Sequence, residues 1–365
     1  MTQPPPAHDA PALRATESVV RDVIAGRASF EAGLDAVLAY QRAHNAPLAD
    51  WWARRGFDGD ASDWRAIPGV PTDVFRHVRL VSSEAPTTRV YRTSGTTHGA
   101  RGAHHRISTA CYDAGAIVHF ARCLVDHAPF ERLVALTFDP SDAPDSSLAH
   151  MVGLFADTWT PSATTYHLTP SDVDVASAID ALRSTTAPTC VFGTAFAFVH
   201  LLDALDGDIA LPAGSTIVET GGFKGRSRVV ERDALYADLV ARLGVPRSHV
   251  LSEYSMTELS SQLYAASLID HVASTPGDPH RLIAPPWCRV VAADPTTLAP
   301  LPDGERGLLR FVDLANVDSV VAIQTSDLGL VRDGAVWLEG RAPGATPRGC
   351  SLAIEEIVAR LEDAP

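Results

Sequence analysis

Between Tyr91 and Gly102 the sequence reads Tyr-Arg-Thr-Ser-Gly-Thr-Thr-His-Gly-Ala-Arg-Gly, and residues 93–102 hold three glycines and four hydroxyls. Glycine lets backbone N–H groups approach a phosphate chain closely. Thr93, Ser94, Thr96 and Thr97 add short donors without bulk, and Arg101 adds a positive charge. The string reads equally as a flexible loop, and it is not a P-loop, because GxxxxGK[ST] is absent. A second cluster is Glu219-Thr220-Gly221-Gly222-Phe223-Lys224-Gly225-Arg226. It follows the β-branched run Ser215–Val218, so a parallel sheet would place it at its C-terminal edge, where ligand-binding loops gather. The chain has 29 Arg and one Lys, and that Lys is Lys224. In so Arg-biased a chain a lone Lys suits a role as a compact ammonium at phosphate or carboxylate; the alternative is a solvated loop charge. A third segment, Glu253-Tyr254-Ser255-Met256-Thr257-Glu258, combines a ring, a hydroxyl and carboxylates. Taken alone, Glu258 reads as a surface or capping residue at a helix start.

These segments follow one another in an order that resembles the adenylate-forming superfamily of acyl-CoA synthetases, adenylation domains and beetle luciferases. The loop around Thr93, Ser94, Gly95, Thr96, Thr97 and Gly99 resembles the phosphate-binding pattern TSGTTGxPKG, with Ala100-Arg101 where Pro-Lys is usual. Glu253–Glu258 resembles YGxTE. The resemblance implies that Tyr254 stacks on adenine, that Thr257 bonds phosphate, and that Glu258 reaches Mg²⁺ on ATP. Magnesium prefers hard oxygen ligands, so one carboxylate with phosphate oxygens suits it. Gln324–Gly329 resembles the TGD motif, with Ser326 in place of Gly and Asp327 implied at the ribose hydroxyls. Leu338-Glu339-Gly340-Arg341 resembles the motif that ends the large domain, placing Arg341 near ribose or phosphate. Gly221 and Gly222 would let backbone lie against adenine, beside Glu253, Ser255 and Met256.

Within that superfamily, Ser146–Met151, Glu219–Arg226, Ser260–Tyr264 and Arg348–Leu352 resemble the acyl-protein synthetases, from about Trp51 to the C-terminus. The resemblance implies activation of a carboxylic acid, fatty or aryl, to an acyl-adenylate with ATP and Mg²⁺, then transfer to a thiol. It also implies an acyl-reductase or carrier-protein partner. Relatives in the wider superfamily use a Lys from a mobile C-terminal domain. Here the 24 residues after Arg341 are expected to be only a remnant of it, which makes Lys224 the candidate ammonium. Cys350 stands where some family members carry an acceptor thiol near their C-terminus; flanked by Arg348 it could be a thiolate, or it could be a small buried apolar residue. The alternatives are an acyl- or aryl-CoA ligase of the phenylacetate-CoA ligase kind, a ligase with an amine or carrier-protein acceptor, and a nucleotide-binding regulator that has lost turnover.

Alternation of helix and strand patterns is what would position these loops. Helical periods cover Thr109–Val125, Val173–Leu182, Ala195–Leu205 and Arg232–Leu243, and short apolar runs fall at Leu133–Thr137, Cys190–Phe192 and Ser215–Val218. An α/β fold with a largely parallel sheet follows, becoming β-rich after about residue 283. The expected organisation is a helical extension over 1–50, an adenylate-forming domain over 51–340 (its β-rich subdomain 284–340) and a remnant over 341–365. Ile67–Pro71 reads as a loop and Trp51-Trp52 as packing. Phe192, Gly193, Phe196, Phe223, Ser255 and Met256 are acyl-pocket candidates by position. The formal charge of −14 argues against nucleic-acid binding through phosphates and against a polybasic membrane surface. Five widely spaced Cys without a CxxC pair, no apolar leader and no membrane-length run make the cytosol the expected compartment. His98, His104 and His105 match no zinc spacing.

Overall fold

The computed structural model describes residues 11–83, 85–93, 101–169, 172–221, 231–275 and 277–342. The chain starts with α1 (Pro11–Ile24), α2 (Phe30–His44) and α3 (Ala46–Arg54), then β1 (Val70–Pro71), β2 (Arg89–Arg92), β3 (Ala103–Arg106) and α4 (Ala110–Phe120). Strand and helix then alternate through β4 (Arg132–Leu136), α5 (Ser147–Trp159), β5 (Thr164–Tyr166), α6 (Val175–Arg183), β6 (Thr189–Thr194) and α7 (Ala195–Ala204). They continue with β7 (Thr216–Thr220), α8 (Arg232–Leu243), β8 (Val250–Tyr254), β9 (Leu263–Ala265), α9 (Ser267–Val272) and β10 (Leu282–Ile283). Last come β11 (Cys288–Ala293), β12 (Arg306–Asp313), β13 (Ala322–Arg332) and β14 (Ala335–Arg341). The expected α/β class and the antiparallel β-rich region after 283 are both present.

Two compact units divide the chain. Of the described residues, the first takes those up to Ala116, Met256–Ser261 and those from Ala284 on; the second takes Ile117–Ser255 and Gln262–Ile283. In the second unit β4 pairs in parallel with β5 and β6, β6 with β7 and β7 with β8, and the antiparallel β9 and β10 follow. Helices α6, α7 and α8 pack Ala178, Leu182, Phe198, Leu201, Leu239 and Leu243 into a core with Val134, Val191 and Ile217. Local signals start these helices: Asp174 and Thr194 accept from Ser177 and Ala197 N–H at 3.1 and 3.2 Å. Gly244 closes α8 in the left-handed conformation, where Ala210 leaves no room for a Cβ at an ordinary distance.

In the first unit β11, β12, β13 and β14 form an antiparallel sheet. The segment read as a loop at Ile67–Pro71 contains β1, which pairs in parallel with β13. The reason is close approach: a Cβ on Gly69 would sit 3.1 Å from Arg310 and Gln324 side-chain atoms. The N-terminal helices are tied in by polar side chains. Gln41 of α2 donates to the Asn316 and Val317 carbonyls and accepts from Val321 N–H, and Asn45 donates to the Ser319 carbonyl. Trp51 and Trp52 are buried, as the packing reading expected. Among the described residues no helix is long and apolar enough to cross a membrane.

Candidate active site

The hydroxyl-rich loop springs from the antiparallel pair β2 and β3, in which Tyr91 faces His104 and Arg92 faces Ala103. Its base is closed at Thr93, whose N–H donates to the Gly102 carbonyl while its Oγ1 accepts from Gly102 N–H, each at 3.0 Å. A Cβ on Gly102 would lie 3.0 Å from Thr93 Cγ2, so this closure favours glycine. Arg101 donates to the Thr93 carbonyl at 2.6 Å and to the Arg92 carbonyl, so part of its guanidinium closes the hairpin. Residues 94–100, and with them Ser94, Gly95, Thr96, Thr97 and Gly99, lie outside the described residues, as do Gly222, Phe223, Lys224 and Cys350.

Thr257 and Glu258 stand on an irregular segment of the first unit, not at a helix start. Such a segment has no sheet or helix to satisfy its backbone, and buried side chains take over. His104 Nδ1 donates to the Thr257 carbonyl at 2.8 Å. Asn316 Nδ2 donates to the Glu258 carbonyl at 2.9 Å. Asp313 accepts from Ser260 N–H at 2.8 Å and from Ser261 Oγ at 2.7 Å. One nitrogen of Arg106 donates to Ser260 Oγ, to Asn316 Oδ1 and to His104 Nε2, and the guanidinium pairs with Asp318 at 3.2 Å. Burial and the Arg106 charge hold His104 neutral, its pKa pushed down to about 3. Glu258 is itself buried, and that pushes its carboxyl up to about 7; Arg341 and Arg76 oppose the shift and Asp73 adds to it.

Asp327 and Arg341 also belong to the first unit. They are register partners across β13 and β14, with the Arg341 Nε 3.4 Å from an Asp327 carboxylate oxygen. Asp327 is 14% exposed and Arg341 83% exposed, so the carboxylate is shielded and the guanidinium projects into solvent. Ser326 lies within β13 with no left-handed backbone, so this position does not require glycine.

The second unit carries the rest. Gly221 (φ 73°) ends β7, and Glu253 and Tyr254 end β8 beside it. Thr220 donates to Glu253 Oε2, and Tyr236 donates to Glu219 at 2.9 Å. Burial raises both Glu219 and Glu253 to about 7. Of the acyl-pocket candidates, Phe192 is fully buried in the sheet and Gly193 packs on Leu136, whereas Phe196, Ser255 and Met256 keep some exposure. Cys111, Cys123, Cys190 and Cys288 are buried with their thiols pushed up by burial, so none of them is a ready thiolate. No cluster of His, Cys, Asp and Glu fit for a metal occurs among the described residues.

Arg106, Asp313, Asn316, Asp318 and the role of His104 belong to none of the sequence motifs. The available signal was a row of polar residues, Asp313, Asn316, Asp318 and Ser319, inside an apolar stretch from Leu308 to Ile323. Polar groups so placed must be buried with partners.

The family model for acyl-protein synthetase, LuxE, matches residues 34–358. A long-chain-fatty-acid–luciferin-component ligase of Vibrio harveyi is 33% identical over 95 residues, 23% of this chain and 24% of that protein. Its Aliivibrio fischeri namesake is 31% identical over 83 residues, 20% of this chain and 22% of that protein. These matches span about a quarter of the relatives' length. Among solved structures, 2-hydroxyisobutyryl-CoA ligase in its postadenylation state with 2-HIB-AMP has a TM-score of 0.61 at 16% identity, covering 93% of this chain and 72% of that one. Its open form with 2-HIB-AMP and CoA has a TM-score of 0.59 at 17% identity, covering 89% and 77%. The chain therefore shares the fold of that ligase.

Proposed function

Because the chain belongs to the acyl-protein synthetase family, we propose that it activates a carboxylic acid with ATP, forming an acyl-adenylate and pyrophosphate, and then passes the acyl group to a thiol. The observation that carries this reading is the arrangement of the first unit. Asp327 and Arg341, 14 residues apart in sequence, are cross-strand partners, and Thr257 and Glu258 are fixed by their carbonyls. In this reading Asp327 accepts from the ribose hydroxyls, Arg341 lies at ribose or phosphate, and Thr257 bonds the α-phosphate. Tyr254 stacks on adenine beside Gly221 and Gly222. Thr93, Ser94, Gly95, Thr96, Thr97, Gly99 and Arg101 receive the outer phosphates, and Lys224 stabilises charge between carboxylate and phosphate.

Glu258 would hold Mg²⁺. Its donor chemistry fits: a hard carboxylate whose ionised form burial disfavours gains from a neighbouring cation. Bound there, the ion would neutralise charge on the departing pyrophosphate.

The substrate class is a fatty or aryl acid, in keeping with the long-chain fatty acid that names the relatives. Cys350 is the candidate first acceptor and an acyl reductase or carrier protein the candidate partner, in the cytoplasm, where ATP and reduced thiols coexist. The test is pyrophosphate and hydroxamate formation with ATP, Mg²⁺, hydroxylamine and an acid panel. Long-chain acids are expected to give hydroxamate, and Lys224→Ala to slow it by about 100-fold, the usual size for losing one charge-stabilising group. A panel that yields no pyrophosphate with any acid sinks the reading. Intact mass should show an added acyl group that Cys350→Ser abolishes; CoA-dependent AMP release instead would reassign the acceptor.

A further inference from the structure

We propose that His104 and Asn316, organised by Arg106, are positioning residues that orient Thr257 and Glu258 for acid activation; this inference rests on the reading above. The two residues grip consecutive carbonyls of an irregular segment, Thr257 by His104 Nδ1 at 2.8 Å and Glu258 by Asn316 Nδ2 at 2.9 Å. A carbonyl accepts only, so the partner nitrogen on His104 must carry the proton, and Nε2 is then the acceptor for Arg106 at 3.3 Å. The same logic fixes the Asn316 amide. Its Oδ1 accepts from Arg106 at 2.9 Å and from Ser260 Oγ, which leaves Nδ2 for the Glu258 carbonyl.

Arg106 locks both orientations, since one of its nitrogens donates to His104 Nε2 and to Asn316 Oδ1. It is anchored in turn by Asp318, which also accepts from Ile107 and Ser108 N–H at 2.6 and 3.0 Å. His104 and Asn316 are 1% and 0% exposed. Neither is placed at substrate; each acts on the site only through the peptide units it holds. Fixing two adjacent peptide planes restricts the backbone from which the Thr257 hydroxyl and the Glu258 carboxylate project. A looser segment would still fold and would misplace both groups, and positioning is the principal contribution the protein makes to such a transfer.

The two amides separate this role from general packing. In His104→Asn the side-chain amide nitrogen can take the place of Nδ1; in His104→Gln it is one methylene too far and clashes with or bypasses the Thr257 carbonyl. The measurement is acid-dependent pyrophosphate release across a Mg²⁺ titration, for the wild type, both amide variants and His104→Leu, with thermal midpoints in parallel. The Gln and Leu variants should lose about 10–100-fold in Mg²⁺ affinity, the range found when a supporting hydrogen bond is removed, and Asn should stay within about threefold of wild type. A purely structural role would lower the amount of folded enzyme and leave the Mg²⁺ midpoint unmoved. Should Gln match the wild type, or Asn fall as far as Gln, or both amide variants fail to fold, the inference is overturned. If the wild type itself releases no pyrophosphate with any acid, the functional reading fails first and takes this one with it.

Discussion

In the first unit Thr257 and Glu258 hang from His104 and Asn316, two buried side chains that each give a donor to a backbone carbonyl, whereas in the second unit Glu253 and Tyr254 end a strand whose backbone is paired on both edges by β7 and β9. The difference follows from secondary structure. A strand inside a sheet meets its backbone requirements by itself, so its terminal side chains remain available for ligand and for one another. An irregular segment needs partners from elsewhere, and here those partners are a neutral imidazole and an amide, linked through Arg106 and lying 153 and 58 residues away in sequence. The first arrangement concentrates risk in one guanidinium. The second distributes it over an apolar sheet and two buried carboxyls.

Removing that guanidinium is the strongest way to test the contrast. Arg106 and Asp318 are each 2% exposed in their side chains, and Arg106→Leu would strand the Asp318 carboxylate in the interior. Breaking a buried pair from one side costs about 3–5 kcal/mol. The matching change in the second unit, Thr220→Val, keeps shape and removes one donor to the buried Glu253, a loss of about 1–3 kcal/mol. Urea midpoints at one pH measure both. Equal losses, or a larger one at Thr220, would break the comparison.

The pH dependence of the two units should run in opposite directions. His104 titrates near 3 in the fold against an ordinary 6.5, so its contribution is present above 6.5 and is lost as pH falls towards 3. Glu219 titrates near 7 against an ordinary 4.5, so its contribution is complete below 4.5 and is lost as pH rises through 7. Relative to wild type, Glu219→Gln should therefore gain stability from about pH 5 to 7 and level off above it. His104→Asn should gain only on acidification below 6.5. Denaturation midpoints at four pH values would show it, and parallel curves for the two variants would contradict the assigned environments.

The same contrast explains what could be read from sequence. β4, β6, β7 and helices α6, α7 and α8 were legible because β-branched runs and apolar periods are local and the core they build is apolar. β8 was not, since Ser252 and Glu253 interrupt its apolar run and the buried Glu253 takes its partner, Thr220, from another strand. Motif order pointed to Thr257, Glu258, Asp327 and Arg341. It could not show that Asp327 and Arg341 face each other, because that depends on the β13–β14 register, which shifts at Leu328 and Gly329. The network under Thr257 was hidden for a further reason: the apolar stretch around Asn316 marks it as buried, but naming Arg106 as its partner requires the tertiary fold.

Two glycines give the finest test, since they isolate backbone strain from contacts. Gly340 in the first unit has φ 116° and Gly221 in the second has φ 73°, and a Cβ on either would meet nothing within 4 Å. Substitution by Ala therefore costs only what the backbone conformation imposes. At φ 73° an L residue reaches the left-handed region at about 1 kcal/mol, whereas φ 116° lies outside it and costs roughly 1–3 kcal/mol. Gly340→Ala also precedes Arg341, so relief of its strain would move the Asp327–Arg341 pair and raise the ATP concentration needed for activity. Gly221→Asn should be nearly neutral in stability, Asn tolerating the left-handed region, and it separates backbone strain at β7 from any effect of side-chain bulk on nucleotide binding. If Gly221→Ala destabilises more than Gly340→Ala, the second unit is the more constrained of the two at its ligand edge, the reverse of what its self-sufficient sheet implies.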